Sequence, residues 1–137
     1  MSLAGSLDTN VLARLLVQDD VLQADLAARL LERHARKSET LLVPVTVVLE
    51  LEWVLRSRYK FSKAEVIKTF SGLLASIELV FESEGALEQA LVSYEEGAAD
   101  FGEYLHLALA QVEQALPFWT FDAKASKALG AKLMKSQ

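Results

Sequence analysis

The fold is decided by the stretch Leu-Asp-Thr-Asn-Val-Leu-Ala-Arg-Leu-Leu at residues 7–16, because an apolar strand ends there and a helix begins. Residues 3–7 predict a first strand, although a glycine and a serine within them weaken it. Residues 10–17 predict a short helix. Asp8 therefore lies at the carboxyl end of a strand, where open parallel sheets bind their ligands.

The rest of the chain alternates in the same way between short apolar strands and amphipathic helices. Further strands are predicted at residues 41–43, 77–81 and 118–121. Further helices are predicted at residues 20–37, 46–58, 62–74, 83–95, 100–112 and 123–133. This alternation predicts the α/β class, with a mostly parallel central sheet of four or five short strands covered by helices on both faces. We expect one domain spanning residues 1–137.

The composition excludes several classes of function. The 137 residues are 52% hydrophobic and 24% charged, as in a globular domain with a sizeable core. The absence of cysteine excludes disulfides, thiolate nucleophiles and cysteine-based zinc sites. Charged residues interrupt every apolar run before it could span a membrane, and no export signal is found, so the cytoplasm is the expected compartment. The net charge of −5 argues against passive binding of nucleic acid, unless some acids hold metal.

Acidic residues stand where an apolar run ends or a helix begins: Asp8, Glu50, Asp100 and Asp122. Carboxylates beside so much hydrophobic surface are costly unless they are paired, hydrogen-bonded or bound to a cation. Glu103 lies three residues after Asp100, so both side chains can point along one helical face. Converging carboxylates would offer the oxygen ligands that Mg²⁺ and Mn²⁺ prefer, which indicates phosphodiester chemistry.

Each carboxylate also has an ordinary structural interpretation. Asp8 and Asp122 are suited to capping the helices predicted after them. Asp100 and Glu103 have the spacing of a capping box, which is the first interpretation of that pair taken alone. Glu50 has an acidic neighbour two positions further on, and one of those two side chains is expected to face solvent. A single acid at a helix start is therefore weak support for a metal site.

Four segments in order resemble the motifs of PIN domains, specifically of the VapC-type toxins of bacterial and archaeal toxin–antitoxin pairs. The first is residues 7–16, and the others are Val-Val-Leu-Glu-Leu-Glu-Trp-Val-Leu (47–55), Ala-Asp-Phe-Gly-Glu-Tyr-Leu (99–105) and Thr-Phe-Asp-Ala-Lys-Ala (120–125). No single motif is specific, whereas four in order along nearly the whole chain are. The chain departs from the family at Glu103, where Asp is common, and the extra methylene is expected to shift or loosen a metal position.

The resemblance implies a PIN fold and a metal-dependent endoribonuclease. The catalytic residues that it implies are Asp8, Glu50, Asp100 and Asp122. These four, with Glu103, are expected to bind one or two Mg²⁺ or Mn²⁺ ions. Side chains expected to orient the ligands or waters are Thr9, Asn10 and Thr120. Metal-activated water would attack a phosphodiester in line and leave a 5′-phosphate and a 3′-hydroxyl.

The basic residues and the resemblance also suggest contacts with a substrate and with partner proteins. Arg14 and Lys124 stand close to acidic motifs, and the densest basic stretch includes Arg56 and Arg58, so phosphate contacts are a reasonable hypothesis there. The alternative for that stretch is a solvated helix end. The resemblance also implies an RNA substrate, a homodimer and a VapB-like antitoxin. We expect the helical residues 20–37 and 46–70 to flank an apolar groove beside Asp8 for the antitoxin's C-terminal segment.

Two other functions fit part of the sequence. A receiver-like module that accepts a phosphoryl group is also acidic, doubly wound and Mg²⁺-binding, but it leaves Glu50 and the Asp100–Glu103 pair unexplained. A PIN-like interaction domain without catalysis is disfavoured by the retention of every acidic position, although Glu103 leaves that interpretation open.

Overall fold

The computed structural model describes residues 2–135. Contacts divide the chain into two compact units, of which one runs to Glu82 and the other begins at Ser83. Both units combine helices with parallel strands. The predicted α/β class is therefore confirmed.

Residues 2–82 form a three-stranded parallel sheet with strand order β1-β2-β3, together with helices α1 to α4. In chain order the elements are β1 (Ser2–Ser6), α1 (Thr9–Val17), α2 (Val21–Arg36), β2 (Glu39–Val43), α3 (Val45–Ser57), α4 (Lys63–Leu74) and β3 (Leu79–Phe81). The central strand is β2, whose buried Leu41 and Val43 pair with Leu79 and Phe81 of β3. The edge strand β1 is exposed along its whole length and its register with β2 shifts once, as its polar sequence predicts.

The helices of this unit pack through apolar positions at helical spacing. Leu51 and Leu55, one turn apart on α3, are fully buried, and so are Leu12 on α1 and Phe70 on α4. α1 contacts both α2 and α3, and α3 contacts α4. This packing fixes the start of α1 relative to α3, and these two elements carry the first two predicted acidic positions.

Residues 83–135 form two packed helices followed by a small parallel sheet of β4 and β5. The elements are α5 (Glu84–Glu96), α6 (Phe101–Val112), β4 (Phe118–Thr120), a 3₁₀ turn (Ala125–Lys127) and β5 (Ala131–Leu133). The described strands are hydrogen-bonded as groups of three and two, so the larger sheet has fewer strands than the four or five predicted for one central sheet. β4 pairs locally with β5, a strand that the sequence did not predict.

The predicted helix at residues 123–133 is wrong. Its first part is only the 3₁₀ turn, which ends at Lys127, and the backbone becomes extended at Ala128. Gly130 then adopts a φ of +93°, and a Cβ there would lie 3.2 Å from the Leu116 side chain. The alanine-rich sequence favours a helix, but this glycine turn and the pairing of β5 with β4 override that propensity. The other predicted helices and strands are confirmed, with ends displaced by no more than two residues.

The turn between α5 and α6, which leads to Asp100, is held by a close backbone approach. The buried hydroxyl of Tyr104 accepts a hydrogen bond of 3.1 Å from the Ala99 backbone N–H. A Cβ built at Gly97 would lie 1.9 Å from that hydroxyl oxygen and 3.1 Å from the carbonyl oxygen of Ser93. Gly97 is therefore required for space, and the turn depends on it.

A capping box begins α4. Ser62 Oγ accepts a 3.1 Å hydrogen bond from the Glu65 N–H, and Glu65 Oε1 accepts a 2.9 Å bond from the Ser62 N–H. These hydrogen bonds hold the pKa of Glu65 below its ordinary value of 4.5. The cap is therefore a pH-dependent contribution to helix stability.

Gly97→Ala is expected to lower the free energy of unfolding by about 3 kcal/mol, because the new methyl displaces the Tyr104 hydroxyl and leaves the Ala99 N–H without its acceptor. Urea unfolding of the purified variant measures the change. Gly72→Ala is the matched control: it lies within α4 with nothing near its Cβ position, so it should stabilise the protein by about 0.5 kcal/mol. Equal effects of the two substitutions would contradict this account of the turn.

Ser62→Ala is expected to lower the free energy of unfolding by about 1 kcal/mol at neutral pH, because α4 loses its N-cap. The pKa of Glu65 is lowered mainly by the Ser62 backbone N–H, so the stabilisation from the Glu65 carboxylate is present above pH 4.5 and lost as the pH falls through the folded-state pKa. Urea unfolding should therefore show a loss for Glu65→Gln at neutral pH that largely disappears at about pH 3, whereas the loss in Ser62→Ala persists at both pH values, because its backbone N–H is retained. Ser71→Ala, at an exposed position of the same helix, should show no such pH dependence.

Candidate functional site

Asp8 stands in the short connection from β1 to α1 and caps the helix. Its backbone is extended, and its Oδ1 atom accepts a hydrogen bond of 3.2 Å from the Val11 N–H. The interpretation of Asp8 as a helix cap is therefore correct. The side chain is exposed, and no residue in the described chain hydrogen-bonds its second oxygen, Oδ2. One carboxylate oxygen remains available for a ligand beside Asn10, which is also exposed.

Glu50 is tied to the residue that follows Asp8. The Thr9 hydroxyl donates a hydrogen bond to Glu50 Oε1. Thr9 is buried, at 5% exposure, whereas the Glu50 side chain is exposed on α3. A buried hydroxyl requires a partner, and this one uses it to hold an exposed carboxylate at the start of α1. Two of the predicted acidic positions therefore lie at one place in the first unit.

The neighbouring acid, Glu52, has a different role. Glu52 is only 2% exposed, and its two oxygens accept bonds of 2.8 and 3.3 Å from Nε and Nη2 of Arg56. A phosphate bound by Arg56 would compete with this buried ion pair, whose disruption is costly. Arg58 is exposed and its guanidinium lies 5.7 Å from the centre of the Tyr59 ring. Of the two basic residues predicted on this stretch, only Arg58 is therefore presented to solvent as a phosphate contact would require.

A groove adjoins Asp8 and has a volume of about 420 Å³. Its walls are α1 and α2, which contribute apolar side chains such as Val11, Leu26 and Leu30 and the polar side chain of Arg14. The predicted apolar groove beside Asp8 is present, but among the described residues its lining includes none from 46–70. α1 packs directly against α2, so the groove forms between these two helices.

Asp100 and Glu103 do not form the predicted capping box. Asp100 stands at the N-cap position of α6 with extended backbone, but within residues 2–135 its side chain makes no capping hydrogen bond. Glu103, in the first turn, donates its backbone N–H to the Asp100 carbonyl oxygen at 3.1 Å, and its side chain is half-buried. The exposed Asp100 carboxylate is thus not used for the local function that its sequence position suggests.

Asp122 follows β4 and organises the 3₁₀ turn. Its Oδ1 atom accepts hydrogen bonds from the backbone N–H groups of Lys124, at 2.8 Å, and Ala125, at 3.0 Å. Its own N–H donates to Oγ1 of the buried Thr120 at 2.9 Å. Thr120 therefore orients the backbone of Asp122, and the exposed side chain of Lys124 starts from the same turn.

The chemistry of these donors fits a hard divalent cation, because carboxylate and hydroxyl oxygens are the ligands that Mg²⁺ and Mn²⁺ prefer. Asp8 and Glu50 supply such oxygens in the first unit, and Asp100, Glu103 and Asp122 supply them in the second. Within residues 2–135, however, no three histidine or acidic side chains are grouped closely enough to hold a metal ion. The residues therefore match the ion in the type of ligand atom that they offer.

The sequence did not identify the side chains that hold Arg14. Its Nε donates to Gln23 Oε1 at 2.7 Å and its Nη1 to the Tyr59 hydroxyl at 3.0 Å. The Tyr59 hydroxyl in turn donates to Asp19 Oδ2 at 3.0 Å. These partners come from separate elements, and no local periodicity links them.

Comparison with known proteins identifies the family. A PIN domain family model matches residues 6–129, and a search of curated proteins gave no match. No helix among residues 2–135 combines the length and apolar character needed to cross a bilayer. PIN domains are commonly nucleases that use divalent metal ions, act on RNA and often pair with antitoxins. Because the match covers most of its 137 residues, the chain belongs to the PIN domain family.

Proposed function

We propose that the protein is a metal-dependent endoribonuclease of the VapC toxin type that cleaves structured cellular RNA. The observation that carries the proposal is the hydrogen bond from Thr9 to Glu50, one residue from Asp8, in a chain of the PIN family. The exposed carboxylate of Asp100, which makes no capping bond within the described chain, gives further support. Hard oxygen donors at helix starts are the groups that such chemistry requires.

The proposed catalytic residues are Asp8, Glu50, Asp100 and Asp122. Together with Glu103 they would hold one or two Mg²⁺ or Mn²⁺ ions. When bound, such an ion lowers the pKa of a coordinated water and neutralises charge on the scissile phosphate. The chain's own contribution is positioning: Thr9 holds the Glu50 carboxylate, and Thr120 fixes the backbone of Asp122. Asn10, exposed beside Asp8, is proposed to orient a water or a ligand.

Lys124 and Arg14 are the proposed contacts to RNA phosphates. Lys124 is exposed and follows Asp122 by two residues, and Arg14 lines the groove that Asp8 also lines. Arg58 is a third candidate because its guanidinium is exposed. The ion pair with Glu52 makes Arg56 a structural residue in this account.

A VapB-like antitoxin is the proposed protein partner, with its C-terminal segment in the groove between α1 and α2. The apolar side chains of Leu26 and Leu30 suit a peptide's apolar residues, and occupation of the groove would block access to Asp8. A homodimer is proposed from family membership alone. Because such an antitoxin would inhibit by excluding RNA from the groove, the acidic side chains would not need to move.

Purified protein is expected to cut total cellular RNA with Mg²⁺ or Mn²⁺ and not with chelator, leaving fragments with 5′-phosphates. Asp8→Asn should slow cleavage at least about 100-fold, because a charged ligand is lost. Asparagine is as good an N-cap as aspartate, so α1 and the melting temperature should be preserved. Cleavage is followed by gel electrophoresis, and fragment ends are identified by ligation that requires a 5′-phosphate.

Asp25→Asn is the matched control for this experiment. Asp25 is an exposed acid on α2 that pairs with Arg29 at 2.9 Å, so the substitution changes the same charge away from the proposed site. This variant should keep cleavage within about twofold of the parent. An Asp8→Asn variant as active as the parent would contradict the assignment of Asp8. Folded protein without cleavage under either metal would leave a PIN-like interaction domain as the function.

A further inference from the structure

Arg14 is held in a defined orientation at the wall of the groove beside Asp8. Two edges of its guanidinium are engaged, through Nε with Gln23 and through Nη1 with the Tyr59 hydroxyl. No residue in the described part of the chain hydrogen-bonds the remaining nitrogen, Nη2. The side chain is only 18% exposed, so the conformational cost of ordering it has been met before any ligand binds.

The hydrogen-bond partners of Arg14 orient its guanidinium and are both uncharged, namely Gln23 and Tyr59. Asp19 Oδ1 forms an ion pair with Nη1 at 3.7 Å, beyond hydrogen-bonding distance, and leaves the Nη2 edge open. Asp19 Oδ2 accepts a hydrogen bond of 3.0 Å from the Tyr59 hydroxyl. This bond orients the hydroxyl so that its oxygen can accept the hydrogen bond from Arg14. By contrast, Arg56 donates hydrogen bonds from two of its nitrogens to the buried Glu52. Arg14 therefore differs from Arg56 in keeping one edge of an oriented guanidinium for an external anion.

We propose that Tyr59 and Gln23 are positioning residues, which hold Arg14 so that its Nη2 edge binds a backbone phosphate of single-stranded RNA in the groove. The choice of RNA as the ligand rests on the proposed function, whereas the orientation of the Arg14 guanidinium is observed independently of it. The phosphate bound here would lie on the strand that approaches Asp8, because both residues line the same groove. Bound in this way, the strand is held in register beside the carboxylates.

The lining of the groove favours a polynucleotide over an acidic peptide. Two arginines, Arg14 and Arg33, line it together with the amide side chains of Asn10 and Gln23, while Asp8 is its one acid among the described lining residues. This is a local positive excess in a chain whose net charge is −5. The apolar part of the lining, which includes Leu26, offers surface for bases, and the arginines offer contacts for successive phosphates.

The test is binding of a fluorescein-labelled oligouridylate, measured by fluorescence anisotropy in chelator so that no cleavage occurs, across a salt titration. Tyr59→Phe and Gln23→Ala should each weaken binding about threefold without changing the salt dependence, because the charge of Arg14 is retained. Arg14→Gln should weaken binding about tenfold and lower the slope of log affinity against log salt by about 0.7. Arg14→Lys should restore the slope but not the affinity, because lysine lacks the planar fork.

Arg29→Gln is the matched control, since Arg29 is an exposed arginine of α2 that does not line the groove, and it should change affinity less than Tyr59→Phe does. Melting temperatures check folding, and Gln23→Ala, at an exposed position, keeps the test decisive if Arg14→Gln unfolds. Affinity unchanged by Tyr59→Phe and Gln23→Ala would overturn the proposal. So would absence of binding by the parent protein, or an equal effect of these variants on a labelled polyglutamate. RNA binding with the expected pattern, but without cleavage, would retain this subsite and reject the nuclease.

Discussion

The hydrogen bond from the Thr9 hydroxyl to Glu50 joins the start of α1 to the exposed face of α3. The opposite face of α3 is fixed by fully buried leucines at positions 51 and 55, so the helix cannot rotate without opening the core. Thr9 is itself buried, and its hydroxyl would be costly without an acceptor. Core packing and a single polar contact therefore determine where the Glu50 carboxylate lies, and the account of the site depends on both.

Capping and ligand binding are compatible uses of the same carboxylates. Asp8 and Asp122 each direct their Oδ1 atom at backbone N–H groups of the following turn. Such bonds fix the orientation of the carboxylate, as a metal ligand requires. Asp100 occupies the same kind of position without a capping bond in the described chain. A cap interpretation of an acidic residue at a helix start therefore does not argue against a role in metal binding.

Local sequence rules predicted most of the fold, because helical periodicity and capping chemistry act over a few residues. They predicted the helix that begins after Ser62 correctly and failed after Asp122, where an alanine-rich stretch turns at Gly130 into a strand. They also predicted that acidic residues such as Asp8 and Asp100 stand at the starts of helices. They could not distinguish Arg56, which is ion-paired with Glu52, from Arg14, which keeps one guanidinium edge open. The partners of Arg14 are distant in sequence or belong to other elements. The grouping of the strands into two sheets also depends on long-range pairing.

The central claim is that Asp8 is a ligand of a bound divalent ion. Crystals grown with Mn²⁺ and measured at an energy where manganese scatters anomalously test it directly. The account predicts an anomalous peak about 2.1 Å from a carboxylate oxygen of Asp8, and loss of that peak in Asp8→Asn crystals. Manganese bound only elsewhere, or no peak at Mn²⁺ concentrations well above the physiological range, would contradict the claim.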